Sequence, residues 1–375
     1  MIMSNKWMSA AYGEELRRFI KDYQIEKLVD FPRGGVFKGV GVSPAIMIAV
    51  NTKPQTEPLY ARIQRPPEDV ATLRKEIEQS GIAMHNGALA VNGFALVKKD
   101  VTDIFEKMKT AGAPLEEYVE KKIFRGLITG LNEAFIIDSR QREELIETDS
   151  KSEEIIVQVL KGEDVCKWKA NYRNRYLILT KIGVDIDEYP GVFEYLQKFS
   201  PKIEKRLDQG KHWWELRACK YYESFITEKI IWPDISQTSR FAWDNEGYYC
   251  TNTAYFISTK NTILLSLLNS KLIWKWLSSK TAVLGDPDNR GGRRLFTQYI
   301  KKIPIFSPFD DNLIDKFIKL THTSIDTQSK LNQSIGLAER RRLEKQLSEA
   351  EAEIDSLVYQ LYGLTSQEID IIERR

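Results

Sequence analysis

The chain has 375 residues, 42% of them hydrophobic and 11% aromatic, which is enough for two or three domains with sizeable cores and excludes wholesale disorder. Its 55 Lys and Arg against 53 Asp and Glu leave a net charge of only +2, so a uniformly polybasic surface is excluded while a local basic face is not. The longest apolar run, Pro44 to Val50, is far short of the roughly 20 residues that span a bilayer. The opening MIMSNKWMSA lacks the apolar stretch of a secretory signal. Cys166, Cys219 and Cys250 lie far apart with no CxxC, which excludes a readable disulfide scaffold or thiol-rich zinc site. These features predict a cytoplasmic protein with no membrane association.

In chain order, residues 14–30 place Leu16, Phe19, Ile20 and Tyr23 at helical spacing and lead into Val29-Asp30-Phe31. A Gly-rich turn at Arg33–Gly35 follows, and the β-branched stretch Val42–Val50 reads as a buried strand, an order that suits the edge of an α/β domain. Pro54, Pro58, Pro66 and Pro67 mark an exit loop or linker. After Asp100 two helical patterns appear, VTDIFEKMKT and PLEEYVEKKIF. From Gly126 to about Pro308 short strands and helices alternate and aromatics are dense, with the pairs Trp213–Trp214 and Tyr221–Tyr222 each expected to split one ring inward and one outward. The stretch Ala134–Ile137 reads as a buried strand. From about Asp310 the tail is helical, with Leu343, Leu347, Ile354, Leu357, Val358 and Leu361 on one side and Gly363 as the stop.

Charge is distributed less evenly than its sum. Residues 1–120 carry 16 basic and 16 acidic side chains, residues 121–310 carry 30 and 25, and residues 325–375 carry seven and ten. Between Lys260 and Lys302 nine basic residues face only Asp286 and Asp288, which makes this segment a candidate phosphate-facing surface.

Catalytic groups are hard to find. His85, His212 and His322 sit on separate segments without metal-ligand spacing, and no GxSxG, P-loop or HExxH motif occurs. GGVFKGVG at 34–41 lacks the GxGxxG order and the acidic residue about 20 positions on, so it reads as a turn between strands. Glu143–Glu144 and Glu153–Glu154 read as solvated helix faces. No catalytic residue, no cofactor-binding residue and no metal ligand is assigned.

Several segments in order are familiar: SNKWMSAAYGEELRRFI (4–20), VDFPRGGVFKGVGVSPAIMI (29–48), FRGLITGLNEAFIID (124–138), LIETDSKSEEIIVQVLKGEDVCKW (145–168), YLILT (176–180), YYESFITEKIIWPDIS (221–236), LLSLLNSKLIWKWL (264–277), YIKKIPIF (299–306) and VYQLYGLTSQEID (358–370). Together they resemble the TaqI-like adenine-N6 DNA methyltransferases and the fused type IIG restriction–modification enzymes. The resemblance implies a mixed α/β (α+β) fold in four parts. Residues 1–60 would be the closing elements of a methyltransferase-like α/β domain, 61–123 a linker or insert, 124–308 the TaqI-like target-recognition domain and 309–375 a C-terminal helical segment. The family's Gly-rich cofactor strand and NPPY motif would lie upstream of Ser4, which implies a separated or shortened specificity half. S-adenosylmethionine is then expected for the intact enzyme and no cofactor for this chain, with double-stranded DNA and a separate methyltransferase or nuclease half as partners. Phe37 of GGVF matches the family's aromatic that packs beside a flipped adenine; on its own it also reads as a strand-end core residue.

DNA reading needs cations that register phosphates and polar groups that reach base edges. Arg290, Arg293, Arg294, Lys301 and Lys302 supply the first, on a segment whose glycines allow close approach. Asn252, Asn289 and Gln298 carry the amide that pairs with adenine, and nothing in one sequence separates them. Arg125, with Lys121 and Lys122, reads either as a DNA-touching hinge or as the entry to the next domain. The expectation is sequence-specific DNA recognition without catalysis in this chain. The alternatives are a complete enzyme whose basic loop binds a phosphorylated small substrate, and a non-catalytic protein whose C-terminal helix docks on a partner.

Overall fold

The computed structural model describes residues 1–8, 10–31, 36–37, 42–63, 67–84, 99–281, 283–284, 292–307, 310–333 and 336–374. They divide into two units. The first comprises Met1–Gly112, Lys275–Arg294 and Tyr359–Arg375; the second comprises Ala113–Trp274 and Leu295–Val358.

The first unit is built on a five-stranded sheet in the order Ile2–Ser4, Pro44–Val50, Gln24–Asp30, Leu59–Arg62, Ile82–Ala83. Only the Gln24–Asp30 and Leu59–Arg62 pair is parallel. Successive side chains on a strand point to opposite faces, so Leu28 and Val29 enter different cores. Leu28, Met47 and Tyr60 pack with Trp7, Met8 and Ile20. Val29, Ala61 and Ile63 pack against Leu73 and Ile77 of the helix Val70–Ser80, whose N-terminus is capped by the Asp69 carboxylate on the Thr72 amide at 2.8 Å.

Two local expectations change here. The helical spacing of Leu16, Phe19, Ile20 and Tyr23 is realised over Glu14–Ile20, and the strand that follows begins already at Gln24, where Gln24–Asp30 gains two strand neighbours. Phe19 is 62% exposed and rests on Tyr23, ring centroids 5.1 Å apart. The strand expected over Val42–Val50 runs from Pro44 and is buried only in its first half; Ile48, Ala49 and Val50 are exposed.

The two larger sheets of the second unit share a core. One has the order Trp168–Lys169, Ala242–Asp244, Lys229–Pro233, Ala254–Ser258, Ile123–Arg125. The other has the order Tyr249–Cys250, Ile156–Leu160, Arg175–Ile178, Ile136–Asp138. Val159, Leu177, Ile178, Phe225, Ile231 and Phe256 belong to one shared core. Inside the first sheet Lys229 and Asp244 stand directly opposite each other, Nζ to Oδ2 at 2.5 Å and both fully buried. Lys229 also donates to the Phe225 carbonyl, and Asp244 accepts the amides of Glu246 at 2.9 Å and Tyr248 at 3.1 Å. Burial raises the Asp244 carboxyl, and Lys229 opposes the shift.

In the stretch Ala134–Ile137 the expected strand is partly a helical turn: Asn132–Phe135 buries Ala134 and Phe135, and the strand begins at Ile136. The tail is helical over Asp311–Gln333, Leu337–Leu361 and Ser366–Glu373. Leu343, Ile354, Leu357 and Val358 are buried, as the one-sided apolar stripe predicts. Gly363 stops the second of these helices at φ +63°, with its amide on the Gln360 carbonyl and that of Leu364 on Tyr359, both at 3.0 Å. Among the described residues no helix is long and apolar enough to cross a membrane.

Candidate nucleic-acid interface

The second unit opens a cleft of about 410 Å³ lined by Ile123, Phe124, Arg125, Tyr221, Tyr255, Phe296, Thr297, Gln298 and Lys301. Its wall is the edge strand Ile123–Arg125, which pairs antiparallel with Ala254–Ser258 so that Arg125 faces Tyr255. Tyr221 fixes that edge, donating its hydroxyl to the Arg125 carbonyl at 3.0 Å and stacking on Phe124 at 4.7 Å. The Arg125 guanidinium is therefore exposed on an ordered strand, 5.8 Å from the Tyr255 ring centre.

The opposite wall is held from behind. Tyr255 stacks on buried Trp232 at 5.6 Å, and the Trp232 indole N–H donates to the Leu295 carbonyl at 2.9 Å. That bond, with the Leu295 amide on Asp234 at 2.8 Å, places the short helix Thr297–Ile300 and so Gln298 and Lys301. Gln298 is exposed; the Lys301 ammonium lies 3.6 Å from a Glu116 carboxylate oxygen. Among the lining residues are two cations, an exposed amide and three hydroxyls, and no carboxylate. Such a set accepts anions and hydrogen-bonds base edges.

Of the residues singled out from sequence, the fold brings Arg125, Gln298 and Lys301 to one cleft. Lys302 is exposed on the same segment. Asn252 does not line this cleft; its backbone N–H donates to the Leu127 carbonyl at 2.8 Å. Arg290 and Asn289 lie outside the described residues. Arg293 and Arg294 belong to the first unit, on the strand Gly292–Arg294, which pairs with Val283–Leu284. Arg293 donates to the Thr281 carbonyl at 2.6 Å; burial and the neighbouring Arg62 push its guanidinium down to about 10. Arg62 is paired with buried Asp30 at 3.2 Å, whose carboxylate also takes Asn5 at 2.8 Å and Tyr60 at 3.2 Å. Among the described residues no carboxylate pairs with Arg293. Arg294 is exposed. Phe37, at 46% exposure, is no part of the first unit's core.

The expected inward–outward split of the aromatic pairs is not found. Trp213, Trp214, Tyr221 and Tyr222 are all half-buried, and the two tryptophans meet edge to face at 5.5 Å. The reason is that the stretch around them is a braced loop without strand alternation. Residues 198–220 carry seven basic and three acidic side chains, a surplus the basic segment at 260–302 overshadows in sequence. Counting charge in a short window is the signal that would have found it.

A second cleft, of about 470 Å³ in the first unit, is lined by Asp103, Glu106, Lys107, Thr110, Ala111 and Tyr362. Neither cleft combines a glycine turn with a ribose-binding carboxylate. Neither of these two clefts therefore fits S-adenosylmethionine.

Comparison with known proteins gives this geometry its class. Residues 157–305 match the model of the TaqI-like C-terminal specificity domain. Across its length the chain is similar to the type II methyltransferase M.BstVI of Geobacillus stearothermophilus, 22% identical over 404 aligned residues that cover 100% of this chain and 65% of that protein. It is similar, also at 22% identity, to the type II methyltransferase M.BanIII of Aneurinibacillus aneurinilyticus, over 88% of this chain and 65% of that protein. In fold it resembles the type IIL restriction–modification enzyme MmeI, whose structure was determined in complex with DNA, with a TM-score of 0.62 at 14% identity over 99% of this chain and 48% of that one. The chain thus spans 65% of the length of these methyltransferases and 48% of MmeI.

Proposed function

We propose that this chain is the sequence-reading part of an adenine-N6 DNA methyltransferase or type IIG restriction–modification system, and that double-stranded DNA is its ligand. The observation that carries the reading is the cleft of the second unit, where Arg125, Gln298 and Lys301 meet beside a TaqI-like specificity domain. Arg125 and Lys301 register phosphates, together with Lys302 on the same segment as Lys301; Arg290, Arg293 and Arg294 are the further cations proposed for the DNA backbone. Gln298 supplies an exposed amide of the kind that pairs with the N6 and N7 edge of adenine. Phe37 is the ring assigned to the flipped base, which must leave the stack before its amino group can react. Transfer of the methyl group from S-adenosylmethionine belongs to a catalytic half, on this polypeptide or another, and the system works in the cytoplasm. The relatives named as methyltransferases and the DNA-bound state of the MmeI structure support this reading.

Selection of bound duplexes from a randomised pool tests it. Enrichment of one short motif is the expected result, and Gln298→Ala then relaxes the preference at one position. A pool that stays random after repeated selection, at salt low enough for binding, contradicts a sequence-reading role.

A further inference from the structure

Leu207 is 99% exposed, on a loop braced by hydrogen bonds on both sides of it. The guanidinium of Arg206, buried in the same loop, donates to the carbonyls of Thr129 and Glu215, to that of Asp208 at 3.1 Å and to that of Trp213 at 2.8 Å. It also lies 4.4 Å from the centre of the buried Phe135 ring. The carboxylate of buried Glu215 accepts the amides of Gly183 at 2.8 Å, Lys211 at 2.6 Å and His212 at 3.1 Å. On the other side of the leucine, Asp208 is tied to Arg217 at 2.9 Å. Both residues flanking Leu207 are thus fixed, and its side chain is held out into solvent.

An exposed leucine on an ordinary surface needs no explanation. This one differs in being held rigidly within a cationic setting. Lys205, Lys211 and Arg217 of the same loop are exposed, and among the described residues Lys205 and Lys211 pair with no carboxylate. Ile182, 38% exposed, lies against Gly210 at the base of the loop. A rigid apolar tip among cations fits a polyanion with an apolar interior, which is what stacked base pairs between two phosphate backbones present. An apolar protein partner would leave the lysines unmatched.

We propose that Leu207 is a wedge that enters a base step of duplex DNA, with Lys205 and Lys211 on the adjoining phosphates. Apolar side chains inserted this way unstack one step and bend the duplex. The proposal rests on the reading of the second unit as a DNA-binding domain and adds a mechanical role to it. Because Leu207 is exposed, replacing it leaves the fold intact, which makes the test clean.

The test measures, for the wild-type chain, Leu207→Ala and Leu207→Phe, duplex affinity against salt, the bend angle from fluorophores at the duplex ends, and sedimentation without DNA. The wild type is expected to bend the duplex. Leu207→Ala is expected to lose the bend and about tenfold in affinity with an unchanged salt slope, since no cation is removed. Leu207→Phe is expected to keep the bend, and both variants to melt at the wild-type temperature. A wild type that binds without bending, or a bend that survives Leu207→Ala, overturns the wedge while leaving DNA binding in place. A self-associating wild type that Leu207→Ala makes monomeric, with no change in the bend, assigns the leucine to a second copy and also overturns it. A wild type that does not bind duplex DNA at all removes the underlying reading, and the wedge falls with it.

Discussion

Lys301 and Glu116 lie 3.6 Å apart with both side chains partly exposed, a geometry worth little to stability but one that sets the local field at the cleft. A phosphate arriving there meets a cation already partly answered. Replacing Glu116 by Gln should therefore tighten duplex binding severalfold, whereas Lys301→Ala should weaken it and lower the salt slope by about one unit; fluorescence anisotropy over a salt series reads both. Arg293 poses the complementary case, a guanidinium disfavoured by burial and by Arg62. If it holds a phosphate, Arg293→Gln lowers the salt slope by about one unit on matched and mismatched duplexes alike, and an unchanged slope removes it from the interface. Residue type marked Arg125 and Lys301 as candidate cations, and Gln298 only as one of three amides that the sequence does not separate. What sequence could not show is that Arg125 and Lys301, 176 positions apart in the chain, share a cleft. That depends on the register of Arg125 against Tyr255 and on one indole bond from Trp232 to Leu295, neither of which leaves a local pattern.

At the scale of elements, the Lys229–Asp244 pair sets the register of two central strands. Removing one partner leaves a buried uncompensated charge, so Lys229→Met should cost about 3–5 kcal/mol in urea denaturation. The double replacement Lys229→Met with Asp244→Leu should cost less than either single change, and additive losses would show that the charges do not act as a pair. The Arg206 loop has a pH signature. Burial by itself would raise the Glu215 carboxyl, but the amides of Gly183, His212 and Lys211 outweigh it and hold the group below the ordinary glutamate range. A carboxylate depressed in the folded state contributes stability that is present above its unfolded pKa of about 4.3 and is lost as pH falls through the folded value. Amide exchange at Lys211 and His212, corrected for intrinsic rate, should therefore lose protection at the acid end of the scale, and Glu215→Gln should show the loss already at neutral pH. Elements with a strong local pattern were readable in this way too. The tail helices follow from their apolar stripe and Gly363. The helical spacing that ends at Tyr23 and the strand that follows it were both readable, but that the strand begins as early as Gln24 was not, because only pairing with Pro44–Val50 and Leu59–Arg62 sets its start.

For the whole molecule a net charge of +2 means that any affinity for DNA comes from where cations are placed and not from their number. In the proposed reading the cleft of the second unit is such a place. The most direct measurement is the affinity of the full chain for a duplex at salt concentrations from about 50 to 200 mM, for the wild type and for Arg125→Ala with Lys301→Ala. The account predicts wild-type binding that falls steeply and linearly on logarithmic axes, and a double variant with unaltered circular dichroism whose slope is smaller by about two units. Wild-type affinity that ignores salt, or a folded double variant with the wild-type slope, would contradict it.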